Sequence, residues 1–388
     1  VETGSGSLFN TRPLEFNSTD LGYAGTQHRA RVSCEYGHFW VDAKRGQVFN
    51  IPPGGQTLKE IIKDVRNWFK EHLPFKLLKS GIEGLTTLDL DNTFNSLGIA
   101  MGWDARYRRV FITKKDYKVK EGCSTTITYR DCKFYNELDE EISLLDDTYF
   151  EDCSWTIAYS LITGSWISYY SFKPDFYIPY LNYFQTGINN SNDATEIGLW
   201  SHLLTNESYQ VFYGKLYPWI IEMPIKDNFR TGTMHNVTYW LDVRKYWNRY
   251  DFAERDDLGF NKAWVYNNNK NSGQLNLIQS QPNNLQQKLQ FPKYNTNSID
   301  ILATNKYKKW TFNHLYDITK NQNNNIPIWL NDSNQIGKEL NPKALKYRNT
   351  WKNKLQGDWF LSRLEQNKES RCKFIFKWQE DKRNFTDG

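Results

Sequence analysis

Residues 97–114 read LGIAMGWDARYRRVFITK. Two runs carrying Ile, Met, Trp, Val and Phe flank a polar turn near Asp104, which is the pattern of a β-hairpin. The same shape stands upstream in HFWVDAKRGQVFNI (residues 38–51), where FWVD and QVFNI flank Ala43–Gly46. Gly46 suits the positive φ that a short hairpin turn commonly needs. The shape recurs twice downstream. WTIAYS-LITG-SWISYY (155–170) turns near Gly164, and GLWSH-LLTNES-YQVFYG (198–214) turns near Asn206. The turns lie about 40 to 60 residues apart, in the range of β-propeller blades with insertions. A lone hairpin is marginal, so repeated sheets must pack face to face or radially.

Around these hairpins the chain divides into three. Residues 1–27 are rich in Gly, Ser, Thr and Asn and read as an extended arm. Residues 28–230 hold the hairpin repeats. An insertion at 57–73 reads as a helix: Thr57 to Glu60 fits a capping box, Leu58, Ile61, Ile62, Val65, Trp68, Phe69 and Leu73 share one face, and Pro74 ends it. Residues 231–388 form an Asn-rich β region with candidate strands NVTYWLDV, KAWVYN, QLNLIQ, SIDILAT and KKWTFNHL. There the plainest loops are Asn267–Asn271 and Asn321–Asn325. A second helix is expected from Asn341 (N-cap) and Pro342 to Leu355. A final hairpin, DWFLSRLEQN-KESR-CKFIFKWQED, closes the chain. The expected fold class is mainly β: repeated antiparallel hairpins in a propeller-like domain, one or two docked helices and a β-rich C-terminal region.

The composition agrees with a folded, loop-heavy β protein. The 388 residues include 15 Trp, 24 Tyr and 23 Phe, too many aromatics for a disordered chain. No apolar run approaches the roughly 20 residues that span a bilayer, and no signal peptide is visible. The first residue is Val, so the chain reads as a processed product or part of a longer protein. Net charge is +5. From Lys338 onward 13 Lys+Arg stand against 7 Asp+Glu, leaving 36 against 37 before it, so the basic excess is a dispersed tail rather than a polybasic tract. Eight carboxylates and no base lie between Glu137 and Asp152. This run reads as a solvated loop, with a divalent cation as the alternative. The five Cys form no CxxC pair, and an odd count argues against a complete disulfide framework. They read as reduced, packed thiols of a protein folded in a cytoplasm. Sequons such as those at Asn17 and Asn236 are what an Asn-rich chain produces by chance.

Motifs of catalysis are weak. LDLDNTF (88–94) places Asp89-x-Asp91-x-Thr93 as in the first motif of haloacid-dehalogenase-type phosphatases, where one Asp attacks phosphorus near a magnesium ion. That chemistry needs parallel strands linked by helices, and hairpins follow instead. An Asp/Asn turn is the plainer reading. As a calcium loop the segment fails where its bidentate Glu should stand, since that position is Ala100. The histidines are scattered, and His38 reads as packed or hydrogen-bonded. No HExxH, G-x-S-x-G, Walker A or GxGxxG occurs. The sequence therefore names no catalytic residue, no cofactor site and no metal site. Exposed aromatics on a β scaffold leave one alternative, a carbohydrate-binding or glycan-degrading protein with paired carboxylates.

Several longer strings stand in fixed order. They are GTQHRARVSCEYGHFWVDAKRGQVFNIPPGG (25–55), RNWFKEHLPF (66–75), WDARYRRVFITKKDY (103–117) and CSWTIAYSLITGSWISYYSFKPDFYI (153–178). GLWSH…FYG (198–214) and KWTFNHLYDI…IPIWLND (309–332) follow. This series resembles the tail muzzle (nozzle) proteins of crAss-like bacteriophages, often labelled stabilization proteins. The resemblance runs from about residue 20 to the end and covers what looks like the C-terminal part of the family's length. It implies a structural virion protein at the distal end of a short tail, in a ring of sixfold symmetry around the channel through which DNA or cargo leaves. It also implies contacts with other tail proteins, a propeller-like domain, assembly in the host cytoplasm and no stable membrane insertion. It supplies no catalytic residues.

In such a ring, buried aromatics would dominate the subunit contacts. Trp68, Phe69, Trp155, Trp166, Trp359 and Trp378 are the interface candidates. Near-neutral charge over residues 1–337 suits a conduit that must not trap DNA.

Overall fold

The computed structural model describes residues 29–54, 58–62, 65–203, 210–226, 232–246, 251–279, 293–295, 298–313, 315–317, 355–367, 372–378 and 385–387. The arm 1–27, the capping residue Thr57, the loop 321–325 and the helix expected over 341–355, apart from Leu355, lie outside them. The fold is mainly β. It divides into two compact units, Val1–Asn206 with Phe212–Gly214 and Glu207–Val211 with Lys215–Gly388. The division thus precedes the change of composition at about residue 231.

Unit 1 opens with β1 (Arg31–Cys34), β2 (Gly37–Asp42), β3 (Gln47–Ile51) and β4 (Lys59–Glu60), an antiparallel meander in chain order. The β2–β3 turn is the expected one, with Gly46 at φ +70° and its N–H donating to Asp42 O at 3.0 Å. A side chain at Gly46 would meet the backbone of Lys70, so the turn needs glycine for close approach as well as for φ.

The helix expected over 57–73 is much shorter. Lys59 and Glu60 pair with Asn50 and Phe49 as an edge strand, and Ile61 N–H donates to Val48 O at 3.0 Å. The open edge of β3 captures this segment, so its apolar spacing serves a strand and then a bend. Helix α1 is Arg66–His72; Leu73 caps it ahead of Pro74, and α2 (Lys76–Lys79) adds one turn.

Next come β5 (Gly98–Asp104) and β6 (Arg109–Lys115), the hairpin read at 97–114. An insertion follows, with β7 (Tyr117–Val119), β8 (Thr128–Arg130), β9 (Lys133–Tyr135), β10 (Glu141–Ile142) and β11 (Phe150–Asp152) in two small sheets. Then β12 (Trp155–Ser160) and β13 (Ser165–Tyr170) form the hairpin turning at Gly164. β12 also pairs along β6, so two of the expected hairpins are halves of one four-stranded meander, order β13-β12-β6-β5.

β14 (Phe176–Pro179), β15 (Phe184–Ile188) and β16 (Gly198–His202) make a third meander. Here the fourth expected hairpin fails. GLWSH pairs with FQTGI of β15 instead of with the segment after Asn206. Short β17 (Val211–Phe212) pairs with β18 (Lys215–Leu216). A strand pattern names two strands without naming their partners.

The middle meander is covered on both faces. Phe39, Val41 and Val48 share a core with Ile99, Met101, Trp103 and Ile112, while Phe111 and Ala158 share another with Phe172, Phe184 and Ile188. β5 is buried at every position, which explains its nearly unbroken apolar run. Gly102 permits the second contact: a Cβ there would collide with the ring of Tyr177.

Unit 2 is built on β19 (Trp219–Lys226), β20 (Gly232–Met234), β21 (Asn236–Tyr246), β22 (Phe252–Glu254), β23 (Lys262–Tyr266), β24 (Gln274–Gln279), β25 (Lys293–Tyr294), β26 (Ser298–Lys306), β27 (Lys309–Asn313), β28 (Gln356–Gly357), β29 (Trp359–Gln366), β30 (Cys372–Trp378) and β31 (Phe385–Asp387). Ten of them form one sheet, in the order β19-β29-β23-β24-β26-β27-β21-β22, with β25 beside β26 and β30 beside β21. A sheet of about this many strands tends to curl, and the curl here reaches half a barrel. All five strands expected between 236 and 315 are present. The closing hairpin is not: β29 is flanked by β19 and β23, so it has no free edge, and β30 pairs with β21 instead. β24 and β26 run parallel, a departure from hairpin topology.

Candidate functional site

Four of the six interface candidates converge in unit 1. Helix α1 presents Trp68 and Phe69 to the β12–β13 face. Trp68 stands 4.9 Å from Trp155 and 5.6 Å from Tyr169 between ring centroids, while His72 stacks on Trp68 at 4.5 Å. Phe69 meets Trp166 edge-on at 4.7 Å, and Trp166 Nε1–H donates to Ile61 O at 2.9 Å. Each such ring pair adds about 0.5–1.5 kcal/mol beyond its buried area. Phe69 is 0% exposed and Trp155 9%, so these two are core residues of the unit. Trp68 and Trp166 are half-buried, and Tyr169 is 61% exposed. The cluster docks a helix on a sheet and leaves an aromatic rim open. The other two candidates belong to unit 2. Half-buried Trp359 stands opposite Lys226, and Trp378 lies on β30 opposite Tyr239.

Beneath the helix lies a polar pin that sequence reading missed. Lys114 and Asp116 are 1% and 0% exposed and pair at 2.5 Å. Lys114 Nζ also donates to His72 O at 2.9 Å and Pro74 O at 3.1 Å, satisfying carbonyls at the end of α1. Asp116 accepts from the N–H groups of Lys76 at 2.7 Å and Leu77 at 3.3 Å, which fixes the start of α2. Burial pulls the Lys114 pKa down, and the carboxylate of Asp116 opposes the pull. A second buried pair, Lys115–Asp175, joins the end of β6 to the chain before β14, where Asp175 also accepts from Asn189 N–H at 2.6 Å. Lysines at a strand end read as solvated, and only their partners, distant in sequence, reveal otherwise.

The other sequence candidates resolve as local structure. Asp89 accepts from Thr86 N–H at 2.8 Å and Thr86 Oγ1–H at 2.6 Å, and Asn92 accepts from Phe94 N–H at 3.1 Å. LDLDNTF is a capped turn beside antiparallel sheets. Within the acidic run, Glu141 pairs with Lys133 at 2.6 Å, Glu151 with Lys118 at 2.9 Å and Asp152 with Lys173 at 2.7 Å. Among the described residues no group of three His, Cys, Asp or Glu gathers to hold a metal ion. His38 is hydrogen-bonded to Ser33 Oγ at 2.8 Å. His202 is buried between Phe184, on which it stacks at 4.5 Å, and Thr186 Oγ1, at 2.7 Å from Nε2. Burial, with the nearby Arg109 charge second, pulls its pKa down to about 4.

No protein-family model matches the chain, and no curated protein matches it.

Proposed function

We propose that the chain is a structural, non-enzymatic virion protein of a short phage tail. Its copies form a sixfold ring at the distal end, enclose the exit channel for DNA or cargo proteins, and contact other tail proteins. The ordered strings of residues 25–332, which resemble the muzzle proteins of crAss-like phages, carry this reading. Physical features agree with it. The meanders β1–β4 and β5-β6-β12-β13 are antiparallel, in chain order and stacked face to face, as the blades of a propeller-like domain would be. The balance of 36 basic and 37 acidic residues before Lys338 would let DNA pass without phosphate capture.

Mass spectrometry of purified virions, with gold-labelled antibody to the chain, tests the reading. We expect the chain in every particle and label at the tail tip. Particles that lack it, together with a purified chain that stays monomeric, would overturn the proposal.

A further inference from the structure

Unit 1 buries two consecutive lysines at the end of β6, and the structure provides for them unequally. Lys114 Nζ has three acceptors, Asp116 at 2.5 Å and the carbonyls of His72 and Pro74. They match the three donors of an ammonium group. Lys115, the next residue along the strand, turns to the opposite face. Its side chain is 7% exposed, and among the described residues its Nζ meets one acceptor, Oδ1 of Asp175. A buried ammonium with a single acceptor keeps its desolvation cost without the hydrogen bonds that would offset it.

The carboxylate partner is held by the chain around it. Asp175 is fully buried, and its Oδ2 accepts from Asn189 N–H at 2.6 Å. Its own N–H donates to Gly187 O at 2.8 Å, and its carbonyl accepts from Thr93 Oγ1–H at 2.6 Å. Lys115 is anchored as firmly, as the last residue of β6 opposite Gly98. The two backbones are thus fixed, and the two side chains meet out of water. An amine and a carboxyl group kept in contact in this way have the proximity and orientation that speed a reaction between them.

We infer that Lys115 and Asp175 join in an amide, an intramolecular crosslink from the end of β6 to the start of the third meander. The ammonium first passes one proton to Oδ1, which leaves a free amine beside a carboxylic acid. The Nζ lone pair then attacks Cγ. Charge gathers on Oδ2, where Asn189 N–H already donates, as a donor of an oxyanion hole would. A second proton moves from Nζ to Oδ1, the Cγ–Oδ1 bond breaks and water leaves. The third proton stays on the amide nitrogen, and the Cγ–Oδ2 double bond re-forms. Atoms and charge balance without a co-reactant. The product discharges both buried ions and keeps Oδ2 on Asn189 N–H. Lys114 has no such course open to it, because its three acceptors hold it as a cation.

The test is intact-mass spectrometry of the full chain, folded and then denatured, followed by proteolysis and sequencing of the peptides. We expect a mass lower than that of the sequence by one water, and a branched peptide that joins Lys115 to Asp175. Lys115→Arg keeps the positive charge but cannot form the amide, so it restores the full mass. Asp175→Asn keeps the carbonyl carbon and releases ammonia in place of water. Its product therefore converges on the mass of the product from the unmodified chain. The unmodified chain decides the matter even where a variant fails to fold. A folded, unmodified chain at its full sequence mass overturns the inference. So does a mass loss without a branched peptide at these two residues, or one that persists in Lys115→Arg.

Discussion

Unit 1 and unit 2 are both β structures, yet they are held together differently. Unit 1 is three larger meanders and two smaller sheets, joined through side chains: aromatic faces, glycine close approaches and two ion pairs with both partners buried. Unit 2 is dominated by one ten-stranded sheet, beside a three-stranded one, joined through backbone ladders, with Trp219 opposite Gln366 and Lys245 opposite Cys372. Its buried carboxylate Asp242 reaches half-exposed partners, Arg244 at 2.6 Å and Lys308 at 3.1 Å. The first design makes stability depend on a few side chains between sheets. The second makes it depend on register across strands distant in sequence.

The sharpest break of that contrast is Lys114→Ala. It leaves the Asp116 carboxylate buried without its cation, and we expect a loss of about 3–5 kcal/mol confined to unit 1. Urea unfolding followed by hydrogen exchange on peptides of each unit would check both size and location. In unit 2 the matching break is in the ladder. Ser362 lies between Met223 and Val265, so Ser362→Pro removes a donor from a strand flanked on both sides. A cost of about 3 kcal/mol or more is expected there, with unit 1 protection unchanged.

Acid sharpens the comparison further. His202 titrates at about 4 in the folded chain against an ordinary value of 6.5, so the unfolded chain takes up the proton first. Its stabilising effect is complete above pH 6.5 and is lost as pH falls from there toward about 4. The loss is on the order of 2–3 kcal/mol for that interval. Melting curves across it should slope less in His202→Asn than in the unmodified chain. Gly102→Ala should cost the least, about 1–3 kcal/mol by overpacking against Tyr177. Calorimetry should place that loss in the unit 1 transition.

Local features were legible in the sequence, and partnerships were not. The turns at Ala43–Gly46, Asp104 and Gly164 follow from residues within one turn of each other. The five strands from NVTYWLDV to KKWTFNHL follow from composition. The helix is shorter than the 57–73 spacing implies because an apolar spacing that fits a helix also fits the end of a strand. The closing hairpin is replaced by other pairings because β19 and β23 occupy both edges of DWFLSRLEQN, which nothing in that string reveals. Aromatic content pointed to Trp68, Phe69, Trp155 and Trp166, but their meeting in one cluster depends on α1 lying across β12 and β13. Lys114 and Asp116 gave no signal, since a charged pair two residues apart reads as solvated.

The most direct measurement is cryo-electron microscopy of the native particle that contains this chain. We expect a closed ring of copies at the distal tip. Peripheral, isolated copies would contradict the conduit reading.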